Sequence, residues 1–520
     1  MKKIYFTIVV LLAGMICLAY LYFSKLNKDT QSNDSSLFAA TAQSGFVFSV
    51  ENNKSVLDLL QSQDLLQGLL SEENLRALQS LKKNILEKTE LNRFIHKETI
   101  YISLIPDQHK GITYTISTQL NESASPAALL NTLKMSGFSV EQMQKIAKIS
   151  FQKDSSFYLS QKGNLLQLSP DPKLLSQTDV AQEQKTNRDF AEYIKTTEKI
   201  NKNSLASLYV DFNRLEDLFK KLSPTASSSL FQLLHRQNAF ASLNYNYSKE
   251  KILFTGSTVI KEEQNYLNLF TSLKAGKTTI DAILPEQTAN YTIYSISDYN
   301  QWSKGLGKWL QQKNMPKEQT IAALNSKYHL NLEETFPKYF KDQLLNFQLK
   351  NTEKMGAINL KNGDKLAQLL LDISENVSED IKVLKEPMLL YWYFGAPFEK
   401  FKTPYYTIID NYMVFSNRAE NIQTFLNSYR SNSQLLTKKE YADACAQLPA
   451  SSNIVFYLDQ KNSEDIALHD LFRPAFEFFN SRQHIGQFSS MIYQLQSENK
   501  KFQSNLLISK KTEAQKALLP

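Results

Sequence analysis

Three carboxylates stand close together in the stretch Leu208–Phe219, LYVDFNRLEDLF: Asp211, Glu216 and Asp217. Paired acids can do general acid–base work when both reach one bond and their protonation states differ. The same residue types also suit a structural task. Ala206, Leu208, Val210 and Phe212 alternate with Ser207, Tyr209 and Asp211, which is the two-residue period of a strand. An Asp at the strand end can accept hydrogen bonds from the backbone N–H groups that open a helix. Asn213 with Glu216 fits a capping box, and acids in a first helical turn favour the helix dipole. The stretch therefore reads as a strand turning into a helix, with Asp211 as part of the scaffold.

Other chemistry-bearing patterns are sparse. Ala275–Thr279, AGKTT, has the end of a phosphate-binding loop, but Thr271 stands where the loop's first Gly belongs, so no nucleotide is expected. GLGKWL from Gly305 lacks a third Gly, and Trp302, Trp309 and Leu310 are spaced for the inner face of a helix. The six histidines, His96, His109, His235, His329, His469 and His484, include no His-x-x-x-His pair, and no Gly-x-Ser-x-Gly elbow occurs. With only Cys17 and Cys445, neither a thiolate zinc site nor a disulfide beyond the N-terminal segment can form. The expectation is no catalytic residue, no cofactor and no metal. Aromatic density is the remaining signal. Met388–Phe401, MLLYWYFGAPFEKF, reads either as a buried strand pair with a turn or as the lining for an apolar ligand or partner. Tyr391, Trp392 and Tyr393 are the candidate surface.

These residues sit in a chain of 520 residues, 42% hydrophobic, long enough for two or more domains. The net charge of +7 is scattered, with no basic run, which argues against nucleic acid as a partner. Ile4–Phe23 is apolar apart from Thr7 and has lysines on both sides, and ~20 such residues can cross a bilayer. Residues 1–23 are read as a retained signal-anchor, residues 24–40 as a polar stalk. The expected location is the inner membrane, single-pass, with the bulk of the chain in the periplasm.

Beyond the stalk the chain repeats itself. LYVDFNRLEDLF aligns with FYLDQKNSEDIA from Phe456, placing Tyr209, Asp211, Glu216 and Asp217 on Tyr457, Asp459, Glu464 and Asp465. The register continues through Phe240 with Phe488, Tyr245 with Tyr493, and Phe254 with Phe502. Upstream, SFYLSQKGNLLQLS faces PYYTIIDNYMVFS, and TAQSGFVFSVENN from Thr41 faces TANYTIYSISDYN from Thr288. Residues 41–262 and 288–510 are read as tandem copies of one α+β unit, an antiparallel sheet with helices on it. A helical linker, 263–287, joins them, and 511–520 is a tail. In each copy a leading strand is followed by amphipathic helices, which in the first carry Leu75, Leu78, Leu81 and Ile85. Each copy closes on a hairpin, with SKEK or QSEN as the turn.

An apolar N-terminus, a polar stalk and a unit introduced by LPEQTANYTIYSI (Leu284–Ile296) resemble a domain-of-unknown-function family of bacterial single-pass envelope proteins. That family is marked by Leu-Pro-x-x-Thr before a Tyr-rich strand. The first unit has Thr41 without the Leu-Pro. The resemblance implies an envelope protein and brings no catalytic residues. The expected function is non-enzymatic binding or scaffolding, with the membrane and an envelope protein or lipid as partners. A carrier or chaperone holding an apolar ligand between the halves is the alternative, and a hydrolase with a dispersed site the third reading.

Overall fold

Stretches rich in Tyr, Phe and Ile that alternate with polar residues become strands, because each strand must offer a packed face every second residue. A computed structural model of the chain describes residue 83 and residues 35–51, 88–95, 98–107, 111–121, 125–143, 145–151, 155–176, 188–200, 206–214, 238–246, 251–350, 353–463 and 488–511. The chain is mixed α+β, dominated by antiparallel sheet with helices. It divides into two units, one of Met1–Ile105 with Ile112–Ala206 and one of Pro106–Gly111 with Ser207–Pro520.

The first unit holds β1 (Phe46–Glu51), β2 (Thr99–Asp107), β3 (Gly111–Gln119), β4 (Ser139–Met143), β5 (Ile146–Phe151), β6 (Ser155–Lys162) and β7 (Leu165–Ser169). They join in the order β1-β2-β3-β7-β6-β5-β4. The helix Ser35–Gln43 precedes β1, and Ser103 Oγ donates to the Ala40 carbonyl at 2.9 Å. Residues 35–40 were expected in the stalk. They fold instead because Leu37, Ala39 and Ala40 are small or apolar enough to be buried. The helix Pro126–Met135 is capped by Ser125 Oγ, which accepts the Ala128 N–H.

The second unit begins with β8 (Ala206–Asp211), β9 (Ala239–Asn246) and β10 (Lys251–Ile260). It continues through β11 (Gly276–Lys277), β12 (Thr288–Ser295), β13 (Phe340–Leu349), β14 (Met355–Leu360), β15 (Ser374–Asn376) and β16 (Lys382–Leu384). The last strands are β17 (Tyr405–Ile409), β18 (Tyr412–Ser416), β19 (Ser451–Ser452), β20 (Ile454–Asp459), β21 (Phe488–Glu498) and β22 (Lys501–Lys510). The main sheet runs β8-β9-β10-β22-β21-β20-β12-β13-β14-β18-β17-β16-β15, antiparallel throughout, and β11 pairs with β19 separately. The order β12-β13-β14-β18-β17-β16-β15 repeats, strand for strand, that of the first unit.

Both faces of this sheet are covered. Leu345 and Phe347 pack with Ile422 and Phe425 of the helix Ala419–Arg430. On the other face Asn346 Nδ2 donates to the Pro397 carbonyl at 2.8 Å, beneath the helix Leu389–Phe394. There Phe394 meets Tyr299 of the helix Tyr299–Gln312, Phe336 of the helix Leu332–Tyr339, and Phe340.

The compact units divide at Ala206/Ser207, where packing and not repetition sets the limit, and β10 pairs edge to edge with β22, Phe254 opposite Leu506. The linker is not a free helix. It forms 3₁₀ turns, Tyr266–Phe270 and Ile280–Ile283, that bury Tyr266, Phe270, Ile280 and Ile283. The second hairpin turns at Asn499–Lys500, the last residue of QSEN and the one after it, both having positive φ.

Candidate functional site

At the end of β8, Asp211 Oδ1 accepts the Asn213 N–H at 3.1 Å, and Asn213 Nδ2 donates to Asn238 Oδ1. Burial raises the Asp211 carboxyl, opposed by the Arg214 charge and by the backbone N–H groups of Asn213 and Arg214. Asp459 does the corresponding work at the end of β20. Its Oδ1 accepts the Asn462 N–H at 2.8 Å, and Asn462 Nδ2 donates to the Thr288 carbonyl at 3.0 Å. Ser463 Oγ donates to the Ala289 carbonyl, which stitches this turn to the start of β12. Strands β9, β10, β22 and β21 stand between β8 and β20. At ~4.8 Å per neighbouring strand the two carboxylates do not share a cleft. Glu216, Asp217, Glu464 and Asp465 lie outside the described residues.

A buried polar chain that the sequence reading missed centres on Asp281. Tyr441 donates its hydroxyl to Asp281 Oδ2 at 3.4 Å, and the Tyr441 and Tyr291 hydroxyls lie 2.7 Å apart. Tyr291 stacks on Tyr457 at 5.1 Å between ring centroids, and Tyr457 donates to Asp459 Oδ2 at 3.2 Å. Burial raises the Asp281 carboxyl, while hydrogen bonds from its own and the Ala282 backbone N–H and from Tyr441 oppose the shift. Burial also pushes the neighbouring Cys445 thiol up to about 11, so it stays protonated and a poor nucleophile at neutral pH. The one sequence clue was an Asp set between Ile280 and Ala282-Ile283-Leu284, with apolar neighbours on both sides. Chemically the chain braces four elements: the Ile280–Ile283 turn, β12, the helix Lys439–Cys445 and β20.

Tyr391, Trp392 and Tyr393 keep 3%, 7% and 2% of their surface exposed. Tyr393 donates its hydroxyl to the Leu332 carbonyl at 2.6 Å, and Tyr391 packs against Trp309. These side chains are interior packing of the second unit rather than the wall of an open groove. The segment is also a helix followed by a 3₁₀ turn, Ala396–Phe398, and not a strand pair. The position that corresponds to it in the first unit by strand order is the short connection from Phe151 to Ser155.

Trp302, Trp309 and Leu310 are buried on the inner face of their helix, as their spacing implied. Gly276 and Lys277 of the AGKTT stretch form β11 and do not open a helix. His329 closes the helix Lys317–Tyr328 in the left-handed conformation. The other five histidines, Cys17, the 1–23 anchor and Leu75, Leu78, Leu81 and Ile85 lie outside the described residues. Among the described residues, no group of three His, Cys, Asp or Glu could hold a metal ion, and no helix is long and apolar enough to cross a membrane. Comparison with protein-family models, curated proteins and solved structures finds no match to this chain.

Proposed function

We propose that this chain is a membrane-anchored, extracytoplasmic scaffold or binding protein of the cell envelope, built from two tandem copies of one α+β unit, and not an enzyme. The observation that carries the non-enzymatic reading is the use made of the acids. Asp211 and Asp459 both spend their carboxylates on backbone N–H groups of their own turns. Asp281 is bound into a tyrosine network inside the core. Carboxylates committed in this way hold elements together, which is a structural use of these three acids. The duplication is supported by the matching strand orders on either side and by the shared turn acids. The anchor rests on the apolar run Ile4–Phe23 between lysines.

Fractionation with N-terminal mass spectrometry tests the address. The mature chain should keep residues 1–23 and stay with the membrane, and a mature N-terminus at Tyr20 or later would sink the anchor. Cross-linking of the full-length protein in cells tests the role, with a specific envelope protein or lipid expected in the product. Turnover of a small substrate that survives Asp211→Ala but is lost on changing another polar residue would instead establish an enzyme.

A further inference from the structure

The outermost strands of the two units share an unusual surface. Among the described residues β4 pairs only with β5, and β15 only with β16. Each is entered from a helix, Pro126–Met135 or Gly363–Leu369. Met135 at the end of the first helix is 89% exposed, and Leu371 just after the second is 53% exposed. Met143, closing β4, is 44% exposed, and Val377, following β15, is 48% exposed. Of the large apolar side chains exposed among the described residues, only Leu436 lies elsewhere. An edge strand carries unpaired N–H and C=O groups, and apolar side chains beside it favour its pairing with another strand.

Charge separates the two edges. Around β4 stand Lys88, Lys134, Lys145 and Lys148, and its one acid, Glu141, faces Lys148 in the β4–β5 register. Around β15 stand Asp372, Glu375, Glu379 and Asp380, all exposed, against Lys382 and Lys385. Arg430 is also close, paired with Asp380 at 2.8 Å. A β4–β4 or β15–β15 contact would bring together surroundings of like charge, which disfavours association.

We propose that the occupant of the β4 edge is the β15 edge of a second copy of this chain, giving head-to-tail self-association. The contact is heterologous, so a pair of molecules still has one free edge of each kind and can recruit a further copy. Backbone pairing and the exposed Met and Leu side chains supply the attraction, and the opposite charges supply direction and partner choice. The proposal concerns the folded units and does not depend on the membrane reading.

The test is sedimentation of the purified full chain in mild detergent. The average mass should rise with protein concentration and fall when salt is raised from ~0.05 to ~0.5 M, since surface charges are screened over that range. The double variant Lys134→Glu/Lys145→Glu gives both edges acidic character, and Glu375→Lys/Glu379→Lys gives both basic character. Each alone should associate about tenfold more weakly or worse. Mixed together they should associate again, because every β4 then finds a β15 of opposite sign. That recovery also shows that both variants are folded. A wild-type chain that stays monomeric at every concentration overturns the proposal. So does a double variant that associates like wild type, or a mixture that fails to recover.

Discussion

From β5 to β6 the first unit passes almost directly, from Phe151 to Ser155, whereas the second unit leaves β16 at Leu384 and reaches β17 only at Tyr405. The strands on either side are joined in the same order in both units. The longer excursion carries the helix Leu389–Phe394, every residue of which is buried. Its rings meet Tyr299, Trp309, Phe336 and Phe340 over the sheet face opposite the helix Ala419–Arg430. One strand plan thus tolerates a large insertion at a connection, provided the insertion brings enough apolar surface to form a core of its own.

The comparison breaks most visibly if that helix is only decoration. Phe394→Ala should cost about 3–5 kcal/mol, the usual loss for a buried Phe, read as a lowered denaturant midpoint. An unchanged midpoint would mean that the excursion is not core. A smaller effect is expected where the closing strands meet. In register, Gly256 of β10 faces Ser504 of β22, yet a Cβ on Gly256 would come within 1.9 Å of the Ser242 carbonyl oxygen. Gly256→Ala should therefore cost about 1–3 kcal/mol by overpacking, measured in the same way.

The turn acids sharpen the comparison between the turns that follow β8 and β20. Asp211→Ala and Asp459→Ala should each lose about 1 kcal/mol, the usual worth of such a cap, without all-or-none loss of function. A fully stable but functionally dead Asp211→Ala protein would reverse the scaffold reading. The subtlest effect concerns Asp281, held by the Tyr441 hydroxyl. Burial raises its folded-state pKa above the unfolded value. The protonated form is then favoured by folding, so its stabilisation is complete below the unfolded pKa and is lost as pH rises through the folded one. Stability should decline over that acidic window, and Asp281→Asn should flatten the decline while leaving the protein at least as stable near neutral pH. Unfolding curves at several pH values check this, and an unchanged pH profile would count against it.

Much of the strand plan was legible because alternation is local: the turn at Asp211, the helix after Ser125 and the leading strands β1 and β12 all follow from neighbouring residues. What escaped depended on distant partners. Ser35–Ala40 has the composition of a stalk, and only burial turns it into a helix. Tyr391–Phe394 favours strand by residue type, but a pocket apolar on all sides suits a short helix better. The pairing of β10 with β22 escaped as well, because it joins segments far apart in the chain. The candidate wall at Tyr391, Trp392 and Tyr393 failed for a related reason, since aromatic density marks cores and ligand linings alike. Asp281 was passed over because a lone acid has no spacing to notice.

The β10–β22 seam also sets a clock. Phe254 must wait for Leu506, ~250 residues later, before its strand gains that neighbour. At ~5–20 residues per second a ribosome needs on the order of 10–50 s to deliver it. During that interval the nascent chain holds β8–β10 with one hydrogen-bonding edge bare, a sticky half-product in need of shielding. A chain truncated before Lys501 would never leave that state, and its fate would be aggregation or proteolysis rather than a smaller working protein.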